Sequence, residues 1–148
     1  MTDELTLLRL DPIGVPPYSA RRITEDFELD DEAQLVRTVN HKLVNLAEDD
    51  AESKYRLTIT CTDQQMPALD GVKRGMVLTV DCATEFSYRT VGGSPSREVA
   101  GTTDDPATRT EGDFTHYRPR LTMMVVDYRL GFAEWDADCN WTLVLLEV

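Results

Sequence analysis

Histidine and cysteine are scarce in this chain. Two histidines, His41 and His116, and three cysteines, Cys61, Cys82 and Cys139, are spread over 148 residues. There is no C-x-x-C, and neither histidine has another histidine or a cysteine at short spacing, so the sequence carries no metal signature. An odd number of widely spaced cysteines also argues against a disulfide framework and predicts a chain made and kept in a reducing cytoplasm. Long apolar runs are missing as well, and none approaches the ~20 residues of a membrane span. The opening "MTDELTLLRLDP" is acidic and lacks the basic start of a secretory signal. Basic residues are few: 15 against 27 acidic ones, a net charge of −12 and a pI near 4.5. Such a chain is repelled by nucleic acid and by anionic lipid, so neither is an expected partner.

The patterns of catalysis are thin too. Gly92-Gly93-Ser94 lacks the ending of a phosphate-binding loop and precedes no helix. "DDEAQLVR" and "DADCNW" lack the glycine and terminal glutamate of a calcium loop. Carboxylates cluster at Asp30, Asp31 and Glu32, at Glu48, Asp49, Asp50 and Glu52, at Asp104 and Asp105, and at Asp136 and Asp138. All fall in predicted turns, where solvent screens them and nothing splits their pKa values. The expectation is a protein with no catalytic, cofactor-binding or metal-binding residues, and not an enzyme.

What the chain has is alternation. Apolar residues make up 41% of it, enough for a packed domain. In "KYRLTITCTD", Tyr55, Leu57, Ile59 and Cys61 share one face, the half-buried strand pattern. "GMVLTVDCATEFSY" carries the same period from Met76 to Tyr88, with Phe86 and Tyr88 on one face. "RLTMMVVDYRLGF" is apolar on both faces in its middle, which predicts a central strand or one under an intermolecular cover. "NWTLVLLEV" follows an acidic turn and predicts a C-terminal hairpin with it. "QLVRTVNHKLVNLA" reads as a second hairpin with His41 at the tip of the turn. A short helix capped by Asp30 or Asp31 competes for part of that segment, but Val36, Thr38 and Val39 are β-branched and favour strand.

Two segments break the pattern. "DPIGVPPYSARR" has three prolines and predicts an extended arm over residues 1–22. Residues 89–114, rich in Gly, Ser, Thr and Asp, predict one long loop, mobile in the free protein. Together these features predict a single domain over residues 1–148: all-β, an antiparallel β-sandwich or barrel with an extended N-terminal arm and one long loop.

Arg21, Arg22, Arg118 and Arg120 interrupt the acidic surface as two pairs. Arginine suits bidentate pairing with carboxylates across an interface. With Trp135 and Trp141 they form the candidate interface set of a self-associating protein. The aromatics allow another reading, in which Trp135, Trp141, Tyr117 and Phe132 form a stacking platform for a sugar.

"YSARRITEDFELDDEAQLVRTVNHKLVNLA", "KYRLTITCTDQQMPALDGVKRGMVLTVDC", "YRPRLTMMVVDY" and "WTLVLLEV" resemble segments of small structural proteins of tailed bacteriophages. The resemblance implies an all-β virion part from the tail or baseplate, a homo-oligomer in contact with other virion proteins and assembled in the host cytoplasm. A capsid decoration or cement protein and a small carbohydrate-binding module are the alternatives.

Overall fold

The computed structural model describes residues 7–16, 18–29, 35–45 and 54–148. Among these there is no helix. Twelve strands follow in chain order: β1 (Arg9–Asp11), β2 (Thr24–Leu29), β3 (Leu35–Arg37), β4 (Leu43–Asn45), β5 (Tyr55–Asp63), β6 (Val77–Asp81), β7 (Phe86–Arg89), β8 (Glu98–Val99), β9 (Thr108–Glu111), β10 (Phe114–Tyr117), β11 (Pro119–Ala133) and β12 (Asp138–Glu147). The strands form antiparallel sheets in an open, sandwich-like arrangement and not a closed barrel.

The large sheet runs β1-β6-β11-β12-β5-β2, and β8 pairs with β11. Its centre is the predicted C-terminal hairpin, β11 with β12. β11 lies between β6 and β12, the central position predicted for it; Leu121, Met123 and Val125 are buried on one face, while Met124 on the other is exposed. On the inner face Leu57, Ile59, Leu78, Val80, Leu121, Met123, Leu143 and Leu145 are buried. Leu69 and Val72, from the β5–β6 connection, complete that core. Burying a leucine or isoleucine side chain contributes about 1.5–3 kcal/mol, so this layer is the main support of the fold. A bulge at Val126 shifts the register between Val125 and Asp127. It puts Tyr128, Leu130 and Phe132 on the inner face beyond it, opposite Leu143, Trp141 and Cys139.

The alternation over Met76–Tyr88 is divided between two sheets. β6 belongs to the large sheet, while β7 joins β10 and β9 in a three-stranded sheet. The break falls at Cys82–Glu85, where Glu25 on the edge strand β2 accepts hydrogen bonds from the backbone N–H groups of Ala83 and Thr84, at 3.1 and 2.8 Å, and from the Thr84 hydroxyl. Those amides bond to a side chain and not to a ladder, so the strand ends there.

The described part of the N-terminal arm is docked on its own subunit. β1 pairs with β6, Leu8 and Leu10 are buried, and Ile13 and Val15 pack against the core. Residues 89–114 also differ from the predicted loop. They carry β8, paired with β11, and β9, paired with β10, and Gly101 bridges to Pro106. The sequence there is too polar to build a core of its own. Its two short strands pair through the backbone with β10 and β11.

β3 and β4 form a separate two-stranded hairpin. His41 sits in its turn at φ +64°, and the Thr38 N–H bonds to the Lys42 carbonyl at 2.8 Å. The acidic stretches Asp30, Asp31 and Glu32, and Glu48, Asp49, Asp50 and Glu52, lie outside the described residues, as does the capping position of the competing helix.

Candidate functional site

The six interface candidates separate into different roles. Trp141 is 1% exposed, and its indole N–H donates to the Ser19 carbonyl at 2.7 Å. It is a core residue that anchors the arm, which corrects its placement at an interface. Trp135 is 97% exposed, in the β11–β12 turn.

Arg21 and Arg120 both pair with carboxylates of their own chain. Arg21 pairs two-pronged with Asp63, with its Nη2 at 2.7 Å, and stacks over the Tyr18 ring at 4.7 Å. Arg120 pairs with Asp81 at 2.7 Å and also donates to the Gly101 carbonyl. These clasps form because each arginine lies beside its acid in the fold: Arg120 opposite Asp81 in the β11–β6 register, Arg21 where the arm meets the end of β5. Burial pushes the Asp63 carboxyl up, but its hydrogen bonds from the Arg21 side chain and backbone outweigh this and hold it below its ordinary value of 3.8. Arg22 is exposed and Arg118 half-buried, and no ion pair among the described residues engages either.

The sugar platform drawn from Trp135, Trp141, Tyr117 and Phe132 is not assembled. Trp141 and Tyr117 are buried, whereas Trp135 and Phe132 are exposed.

Two other surfaces stand out. The first is the tip of the β11–β12 hairpin. Leu130 and Phe132 face the same side as the buried Trp141 and Cys139, yet they are 46% and 60% exposed. The hairpin runs past the core, and its inner face stays apolar where nothing of the described chain covers it. Trp135 stands at the end. At Gly131 the exposed Asn140 side chain lies across the backbone, where a Cβ would displace it.

The second is a cleft of about 350 Å³ lined by Tyr55, Phe86, Ser87, Tyr88, Ser94, Ser96 and Tyr117. Phe27, Tyr55, Phe86, Tyr117 and Tyr88 form a continuous chain of ring contacts with centroids 5.0–6.1 Å apart. The sequence places Phe86 and Tyr88 on one face, but their partners come from β5, β10 and the segment after Gly93. Only the folded chain brings these together.

The cysteines are buried. Burial pushes the Cys61 thiol up to about 11, and it pushes Cys82 up further. Neither is a thiolate near neutral pH. His41 and His116 stand in different sheets. Among the described residues no group of three or more His, Cys, Asp or Glu side chains is placed to hold a metal ion, and no helix is long and apolar enough to cross a membrane. Comparisons with protein-family models, with curated proteins and with solved structures return no match to this chain.

Proposed function

We propose that this chain is a structural component of a bacteriophage tail or baseplate that works by assembly with copies of itself and with neighbouring virion proteins. Its sequence segments resemble small structural proteins of tailed phages, and the role calls for no chemistry and no cofactor. The observation that carries the reading is the uncovered hairpin tip. Leu130, Phe132 and Trp135 lie exposed beyond the core, with two of them on the inward-facing side of the sheet. Large aromatics of this kind act as interface anchors, because burying one contributes about 1.5–3 kcal/mol and it carries few rotatable bonds. In a closed ring, many such contacts act at once and each can be weak. The acidic surface, with net charge −12, opposes nonspecific clustering and leaves the apolar tip as the point of contact.

Mass spectrometry of washed particles, made from the genome that encodes the chain, tests the assignment. The protein is expected among the stoichiometric virion components. Its absence after washing would overturn the reading.

A further inference from the structure

We propose that the cleft between the large sheet and the β7-β10-β9 sheet is a binding site for a neutral saccharide. This site is distinct from the hairpin tip and does not depend on the assembly reading.

The cleft has the size and lining of a small-molecule site. Its volume of about 350 Å³ lies at the lower end of the ~300–1,000 Å³ typical of ligand pockets. Half-buried rings from β5 and β7, Tyr55, Phe86 and Tyr88, supply one part of the wall, with the buried Tyr117 of β10 behind them. Hydroxyls supply the other part. Ser94 and Ser96 are exposed, and the Ser96 hydroxyl lies 3.4 Å from that of Tyr117.

The Gly92-Gly93 turn shapes this wall. A Cβ on Gly93 would collide with the Arg89 carbonyl and lie 3.1 Å from the Tyr88 ring. Glycine there lets the chain fold back tightly against β7 and carry Ser94 and Ser96 to the rim.

Charge decides the ligand class. The lining is made of tyrosine, phenylalanine and serine alone. Beside the cleft, Arg97 makes a two-pronged pair with Glu147 at 2.6 and 2.9 Å and covers the Tyr55 ring, so the two charges offset each other. The lining itself therefore offers a charged ligand no counter-charge. Serine and tyrosine hydroxyls both donate and accept hydrogen bonds, as sugar hydroxyls do. A proline-rich peptide offers the cleft mainly carbonyl acceptors and would leave half of that capacity unused. Rings beside hydroxyls match the two sides of a pyranose, its C–H face and its hydroxyl edge.

The full chain, labelled with nitrogen-15, is titrated with glucose, galactose, N-acetylglucosamine and rhamnose to millimolar concentrations. Glucuronate and a polyproline peptide serve as comparison ligands. At least one neutral sugar is expected to shift the amides of Tyr55, Phe86–Tyr88 and Ser94–Ser96 and few others. Ser96→Ala is expected to weaken that sugar about fivefold, the loss of one hydrogen bond. Ser94→Arg, at an exposed rim position, is expected to abolish binding while the remaining spectrum stays folded. The proposal is overturned if no neutral sugar shifts the cleft, if shifts gather around Trp135 instead, or if the polyproline peptide alone perturbs the cleft.

Discussion

Glu25 and Thr84 join the two ends of the large sheet. Glu25 lies on β2, one edge of that sheet, and Thr84 just follows β6, the strand next to the other edge. The carboxylate accepts from the Thr84 N–H at 2.8 Å and from its hydroxyl, and from the N–H of Ala83. The sheet thus curls around its core and is tied by a side chain where a barrel would close by a backbone ladder. Glu25→Ala leaves two backbone donors without their acceptor and is expected to cost roughly 1–3 kcal/mol. Urea unfolding of the variant measures this, and an unchanged midpoint would mean that water replaces the carboxylate without cost.

The two tryptophans should respond in opposite ways. Trp141→Phe keeps most of the buried ring but leaves the Ser19 carbonyl without its donor, for an expected loss of about 1–3 kcal/mol. Trp135→Ala changes an exposed turn residue and should stay within about 0.5 kcal/mol of the parent. Thermal unfolding of both variants separates core from surface. Equal effects would contradict the burial assigned to Trp141.

Asp63 gives the fold an acid-sensitive clasp. Although burial opposes its charge, the Arg21 hydrogen bonds hold its folded pKa below 3.8. A carboxyl with a depressed folded pKa contributes stability that is complete above its unfolded value and is lost as pH falls through the folded one. Asp63→Asn should therefore be less stable than the parent at pH 7, and the gap should close as pH drops below about 4. Urea midpoints of both proteins across that range provide the check. A gap that persists at low pH would show that packing, and not the ion pair, carries the effect.

His41 holds a left-handed backbone at φ +64°, a conformation that costs a side-chain-bearing residue roughly 1–2 kcal/mol. His41→Gly should keep or slightly raise the stability of the β3–β4 hairpin. Amide exchange reads this locally, because the Thr38 and His41 N–H groups close the turn. Slower exchange of these two amides is expected. Faster exchange would assign His41 a contact that the turn needs.

The strands were legible wherever one face of the sheet is buried. Leu57, Ile59 and Cys61 alternate with threonines because the core takes every second side chain. The C-terminal hairpin was legible for the same reason, and its acidic turn marked the reversal. The split of Met76–Tyr88 was not legible. Its cause is Glu25, whose hydrogen bonds reach 58 and 59 residues along the chain, and no local pattern records such a partner. For residues 89–114 composition reports the lack of a core and says nothing of the short stretches that pair with β10 and β11. The arginine pairs were visible as charges, but which acids they meet depends on register. Trp141 and Trp135 look alike in sequence, and only their positions relative to the end of the core separate an anchor from an exposed ring.

The most direct measurement is the incorporation of a tip variant into particles. The double variant Phe132→Ser, Trp135→Ser removes the exposed aromatics without touching Trp141 or Cys139. It should fold, with a melting curve close to the parent's, because both side chains are exposed in the free subunit. Supplied in place of the parent during particle assembly, it should be largely missing from washed virions. A variant that folds and is still incorporated at the parent's level would contradict an assembly role for the hairpin tip.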